Sequence, residues 1–195
     1  MQDLDNRGGQ KKVPEASGKS ALSFSELDLD ERLTRALSDV GFSSCTPIQA
    51  ETLPLLLNGT DVAGQAQTGT GKTAAYLLAM LNTLLKDDIS KVGFFKGEKS
   101  LPRGLVVAPT RELAIQIYND LEVLGKNANL SYALVYGGID YETQKIKASQ
   151  KVDILIGTPG RLIDFFKQGI FSLKNVKTLV LDEADRMFDL GFIKD

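Results

Sequence analysis

Ala66-Gln67-Thr68-Gly69-Thr70-Gly71-Lys72-Thr73 stands between a short apolar run, Val62 to Ala66, and a stretch with helical spacing, Thr73 to Leu85. A strand, a glycine-rich loop and a helix in that order are the context a phosphate-binding P-loop needs. That context separates it from a glycine-rich turn that happens to precede Lys-Thr. Gly69 and Gly71 let the backbone curl so that several N–H groups point inward at phosphate oxygens, helped by the positive end of the following helix. In this loop, completed by Ala66, Gln67, Thr68 and Thr70, Lys72 is placed to neutralise the β and γ phosphates and the Thr73 hydroxyl to sit on Mg2+. Ala66 stands where the general pattern has its first glycine, a minor departure.

Downstream, β-rich runs at Gly104 to Ala108, Tyr132 to Tyr136, Asp153 to Gly157 and Thr178 to Asp182 alternate with loops and helix-like stretches such as Glu112 to Leu124 and Arg161 to Lys167. Strands with little polar alternation mark a parallel sheet covered on both faces and joined by right-handed crossovers. The fold class is therefore α/β, a parallel sheet flanked by helices. Upstream, Leu29, Leu33, Ala36, Leu37 and Val40 recur at helical spacing between Leu27 and Val40 and stop at Gly41, where a C-cap glycine is expected. A second helix is expected from Thr46, with Pro47 at its first position, to Leu57, ending at Asn58-Gly59. Between Lys86 and Arg103 the chain reads as a charged surface loop. Residues Met1 to Ser20 carry glycines, charges and almost nothing large and apolar, so a disordered arm over 1–20 is expected before one domain over 21–195.

The last apolar run delivers carboxylates at Val180-Leu181-Asp182-Glu183-Ala184-Asp185. Ligands bind outside the C-terminal ends of strands in open α/β sheets. There Asp182 would hold Mg2+ directly or through water, and Glu183 would orient and polarise the water that attacks a γ phosphate. Asp185 reads as a coupling residue. The plain alternative is that these acids only cap the next helix. Their place on a separate strand of the same expected sheet as the P-loop favours the catalytic reading, with Lys72, Asp182 and Glu183 as its catalytic residues.

Composition narrows the chemistry. The 195 residues are 43% hydrophobic and 25% charged, which suits one globular domain with an ordinary core. A net charge of −2 argues against gripping nucleic acid through bulk positive charge, so any nucleic-acid site must be local. Cys45 is the only cysteine and histidine is absent, which excludes an internal disulfide, thiolate metal clusters and His-based triads. No apolar run approaches the ~20 residues that span a bilayer and no signal-peptide core is present, so a cytoplasmic protein without a membrane partner is expected.

Taken with Pro109-Thr110-Arg111-Glu112-Leu113, Gly137-Gly138 and Thr158-Pro159-Gly160-Arg161, the P-loop and the literal Asp182-Glu183-Ala184-Asp185 resemble the DEAD-box family of RNA helicases, in the family's order, over about Leu22 to Asp195. The resemblance implies a RecA-like (P-loop NTPase) domain and an ATP- and Mg2+-dependent RNA helicase activity. Phe24, Gly41-Phe42 and Cys45-Thr46-Pro47-Ile48-Gln49 resemble the family's Q motif, which implies that Phe24, Phe42, Thr46 and Gln49 join the P-loop in holding the nucleotide. An aromatic can stack on adenine, and the Gln49 amide can pair with its donor and acceptor edge. Without the resemblance, Phe24 reads as an ordinary aromatic and Gln49 as a helix-surface residue. The family's RNA-binding segments map to Pro109, Thr110, Arg111, Gly137, Gly138, Thr158, Pro159, Gly160 and Arg161. These suit phosphates and 2′-OH groups and imply sequence-independent backbone binding. Arg111 and Arg161 could instead be solvated or salt-bridged, and Gly137-Gly138 could equally form a tight turn. Gly64-Gln65-Ala66, Asp153 to Gly157 and Arg186 to Asp195 resemble, more narrowly, the bacterial subgroup that partners the RNA degradosome, whose components are then expected partners.

The resemblance also implies a second RecA-like domain that supplies arginines to the γ phosphate, and a Ser-Ala-Thr segment after Asp195. The domain is thus expected to be truncated at its C-terminus, and the fragment to bind adenine nucleotide without significant ATPase or helicase activity. Two alternatives are a DNA translocase, disfavoured by the literal acidic motif and the Q motif, and a scaffold that binds nucleotide without turnover.

Overall fold

A computed structural model describes residues 22–87 and 100–192. The expected arm over 1–20 and most of the expected loop after Lys86 lie outside the described residues. The chain begins with Ser23 in an antiparallel bridge to Ser44, supported by hydrogen bonds from Phe24 N to Ser43 O and Cys45 N to Leu22 O. A 3-10 turn, Phe24–Glu26, follows. Helix α1, Glu31–Asp39, starts later than the apolar spacing suggested, because the Asp30 carboxylate accepts the Arg32 N–H and fixes the start there. At its end Gly41 takes φ +78°, with Phe42 N bonded to Leu37 O and Gly41 N to Ser38 O. That pair of bonds is a Schellman close, for which the left-handed glycine is required. Helix α2, Pro47–Leu57, has Thr46 as N-cap and Asn58 as C-cap, as expected.

Helix α3 spans Lys72–Lys86. Beyond it come β1 (Gly104–Val107), α4 (Arg111–Leu124), β2 (Tyr132–Val135), α5 (Tyr141–Ser149), β3 (Ile154–Gly157), α6 (Pro159–Lys167), a 3-10 turn at Leu173–Asn175, β4 (Thr178–Leu181) and α7 (Ala184–Asp189). The four strands are parallel, in the order β2-β3-β1-β4, with Gly104 in register with both Ile154 and Thr178. Successive residues face opposite sides of the sheet. Val106, Ile154 and Ile156 join buried side chains of α1 to α4 in one core, while Leu105, Leu155, Ala133 and Val135 pack with Ala148, Leu162, Phe165 and Phe171 in another. No described helix is long and apolar enough to cross a membrane.

Two expectations need correction. Residues 62–66 were expected to be a strand, yet no strand is assigned there. A strand exists only with a ladder partner, and no described backbone pairs with this run. Arg103, expected at the rim of a surface loop, is 2% exposed. Its guanidinium donates to Asp153 at 2.8 and 3.2 Å and to Leu84 O at 3.0 Å, and Asp153 also accepts the Ser131 N–H and hydroxyl at 2.9 Å. This network ties the end of α3 to the starts of β1, β2 and β3. Helix α5 was not expected, since Gln144 and Ala148 are its only buried residues and leave no apolar stripe to read.

Candidate functional site

Parallel strands place all their C-terminal ends on one edge. Along that edge lie, in spatial order, Gly137-Gly138 after β2, Thr158 to Arg161 after β3, Pro109 to Arg111 after β1 and Asp182-Glu183 after β4. Neighbouring strands sit about 4.8 Å apart, so the topology alone brings segments remote in sequence into one row.

The glycine-rich loop meets α2 rather than a strand. Gly69 and Gly71 have φ of +80° and +93°, and Gly71 is the N-cap of α3. The Thr46 hydroxyl donates to Thr70 O at 2.8 Å and the Gln49 amide donates to Gly71 O at 3.0 Å, while Gln49 Oε1 accepts the Thr46 N–H at 2.9 Å. The capping box of α2 thus reaches across to hold the loop. A Cβ on Gly71 would come to 2.5 Å from the Gln49 amide nitrogen, so only glycine lets the loop lie this close. Lys72 Nζ folds back onto the carbonyls of Ala66 and Gln67. Thr70 Oγ1 donates to Gln67 O at 2.8 Å, and Thr68 is exposed.

Phe24 is 4% exposed and packs in the α1–α4 core, so its ring is covered; Phe42, at 50%, is the aromatic candidate whose ring is open. Gln49 is itself buried, with one amide N–H and one carbonyl lone pair left beyond the bonds above.

At the end of β4, Asp182 Oδ1 accepts the Glu183 N–H at 3.0 Å and Oδ2 accepts the Tyr76 hydroxyl at 2.9 Å. Burial, then the neighbouring Asp182 charge, pushes the Tyr76 phenol well above the usual tyrosine range. Glu183 has φ +48°, a conformation that L side chains rarely adopt and that concentrates at functional sites. Its carboxylate lies 3.3 Å from Arg186, and Asp185 is exposed in the first turn of α7. Among the described residues no group of three or more His, Cys, Asp or Glu could cage a metal. The donors present, one hydroxyl (Thr73) and one carboxylate (Asp182), fit a largely hydrated Mg2+ shared with phosphate oxygens.

On the other half of the edge, Thr110 caps α4 by accepting the Leu113 N–H, and Arg111 is exposed, 3.4 Å from Glu112. Gly138 has φ +87°, and a Cβ there would meet Arg111 Nη1 at 3.5 Å, so these two candidates are neighbours. Gly137 is exposed beside it. Thr158 is the N-cap of α6, Pro159 opens the helix buried and Gly160 is exposed. The Arg161 guanidinium lies 4.7 Å from the Tyr141 ring centroid and 5.4 Å from that of Phe165, with a buried Nη1 that no described group bonds.

Sequence reading missed Tyr76, which stands three residues after Thr73 and so shares its helix face, and Tyr141, the platform under Arg161. The first has a local signal in that spacing; the second has none, since Tyr141 and Arg161 meet only through the fold.

A glycine-rich loop held by a helix cap, with an acidic turn at the end of a parallel strand, defines an α/β domain of the helicase class. Residues 46–195 match the family model for the DEAD/DEAH box helicase. The chain belongs to that family. It is 54% identical over 172 residues to the ATP-dependent RNA helicase RhlB of Pseudoalteromonas atlantica and 55% identical over 172 residues to that of Vibrio parahaemolyticus. These alignments cover 88% of the chain but only 39% and 38% of the relatives, so the chain spans well under half their length. They agree with the narrower bacterial subgroup expected from the sequence. Among solved structures, a DEAD box protein from Methanococcus jannaschii matches with TM-score 0.76 and 36% identity, covering 89% of this chain and 44% of that one. A hypothetical ATP-dependent RNA helicase from Sulfolobus tokodaii gives 0.74 and 35%, covering 85% and 45%.

Proposed function

We propose that the chain is the ATP-binding domain of an ATP-dependent RNA helicase that couples ATP binding and hydrolysis to local unwinding of RNA duplexes or remodelling of RNA–protein complexes. The observation that carries this is the clasp between Gln49 and Gly71, which joins an amide suited to an adenine edge to the backbone of a phosphate loop. Phosphates entering the loop would take Lys72 from the carbonyls of Ala66 and Gln67. Thr73 and Asp182 would hold Mg2+, which supplies charge neutralisation to the β and γ phosphates. Glu183 would orient the attacking water. The row of Gly137-Gly138, Thr158 to Arg161 and Pro109 to Arg111 offers backbone N–H groups, hydroxyls and two guanidiniums to an RNA backbone, without base readout.

Unwinding belongs to the longer protein, where a second RecA-like domain would contribute arginines worth ~10³ to 10⁵ in rate. The 195-residue chain alone is expected to bind adenine nucleotide with negligible turnover. A cytoplasmic location and partnership with RNA degradosome components complete the reading.

Thermal melts with Mg-ATP, ADP, AMP and GTP test it, because a ligand that binds only the native state raises stability by mass action. ATP and ADP are expected to raise Tm, GTP to have little effect, and Lys72→Ala and Gln49→Ala to weaken the response. Equal stabilisation by GTP would sink the adenine assignment, and no response to any nucleotide would sink the phosphate site.

A further inference from the structure

Tyr76 is tied to the acidic turn by a contact that neither the P-loop nor the acidic motif contains. It sits on α3, three residues beyond Thr73 and on the same face of the helix. Its hydroxyl donates to Asp182 Oδ2 at 2.9 Å across 106 residues of sequence. The other oxygen of Asp182 accepts the Glu183 N–H. Each oxygen is therefore fixed by one donor, one from the phosphate-bearing helix and one from the acidic turn itself. A carboxylate has about four acceptor positions, so two remain for metal-bound water.

Residues 62–66 form no ladder with β4. At this end of the sheet, among the described residues, the Tyr76 hydroxyl makes the side-chain hydrogen bond that joins α3 to the end of β4. Without it, the two halves of the metal site, Thr73 on α3 and Asp182 after β4, lose this shared anchor, and the Asp182 carboxylate can rotate about its side-chain bonds.

We infer that Tyr76 is a positioning residue for the divalent cation, its hydroxyl holding the Asp182 carboxylate in register with Thr73. The inference rests on the Mg-nucleotide reading of the site. Outer partners of metal-holding groups fix their orientation, and their loss typically weakens metal binding about 10- to 100-fold.

Tyr76→Phe keeps the ring that packs against the core and removes only the hydroxyl. The measurement is ADP binding by titration calorimetry, in EDTA and across a Mg2+ series, for the 195-residue chain, Tyr76→Phe, Asp182→Asn and the double variant. The expected result for Tyr76→Phe is a Mg2+ midpoint about tenfold higher, the low end of that range, with metal-free ADP affinity changed less than about twofold. In the Asp182→Asn background the same substitution should add no further shift, because both changes act through one carboxylate. An unchanged Mg2+ midpoint in Tyr76→Phe overturns the inference while leaving the nucleotide site intact. So does an equal loss of affinity with and without metal, which would mark Tyr76 as structural only. A wild-type chain that binds ADP with no Mg2+ dependence, or not at all, overturns the parent reading instead and the inference with it.

Discussion

Glu183 carries its backbone at φ +48° two residues after the end of β4, while its side chain is the expected orienter of the attacking water. Left-handed backbone costs an L-residue about 1–2 kcal/mol, and glycine escapes that cost. Glu183→Gly and Glu183→Ala both remove the carboxylate and its exposed contact with Arg186, so their difference isolates the backbone. The glycine variant should be more stable than the alanine variant by about 1 kcal/mol in urea unfolding; equal stabilities would mean that the turn relaxes rather than stores strain. The opposite case is Gly71, where alanine meets both a φ of +93° and the Gln49 amide at 2.5 Å. Gly71→Ala is expected to lower Tm and to abolish the thermal shift with Mg-ADP, whereas Gly64→Ala, with open space around its Cβ position, should change neither. The glycine-rich loop and the acidic turn were legible in the sequence as turns because each is a contiguous motif, and their chemistry is what the proposed function assigns to them. The Tyr76–Asp182 and Arg161–Tyr141 contacts were not, because each joins residues that only the folded sheet brings together.

Elements follow the same division. The ends of α1 and α2 were readable because Gly41 and Gly59 close them through bonds spanning a few residues. Strands β1 to β4 were readable as apolar runs, but the run at 62–66 was read as a strand although pairing is a property of two segments and not of one. Least legible was the buried Arg103–Asp153 pair, since Arg103 reads in sequence as the end of a charged loop and Asp153 as the start of a strand 50 residues on. Burial alone would raise the Asp153 carboxyl, yet hydrogen bonds from Ser131 and Arg103 outweigh it and hold the group below the usual carboxylate range. A depressed native value means that the ionised form contributes stability above the unfolded carboxylate value near ~3.9, and that this contribution fades as pH falls through the lower native value. Asp153→Asn removes the nearer of the two carboxylates that face buried Arg103 and leaves Asp87 at 3.6 Å, which should cost about 2 kcal/mol at neutral pH. In urea unfolding, the gap between wild type and variant should hold constant from pH 7 to 5 and narrow only in strong acid. A gap that closes around neutral pH would show that the pair is not the source.

At the scale of the whole molecule, the sheet is covered unevenly. Val180 packs toward the α1–α4 core, but Leu179 and Leu181 on the opposite face of β4 are 56% and 54% exposed, and Phe188 and Leu190 beyond them are exposed too. Among the described strands β4 pairs only with β1, so its outer row of backbone groups finds no ladder. An unpaired apolar strand is a template for another strand, and in a pure sample the strand available to it is that of a second copy. Sedimentation velocity should therefore show mass rising with concentration across the micromolar range, where exposed strand edges begin to associate. Leu179→Lys with Leu181→Lys places charge along the exposed face of β4, beside Leu105 and Val107 of β1, and should return the chain to a single monomeric species. Ile146→Lys, on the exposed face of α5, serves as the control and should leave the association unchanged. If the double lysine variant associates as strongly as wild type, the contact lies elsewhere; if the control alone abolishes it, α5 rather than β4 is the sticky surface. Either of those outcomes would also mean that the outer edge of β4 is already protected in solution.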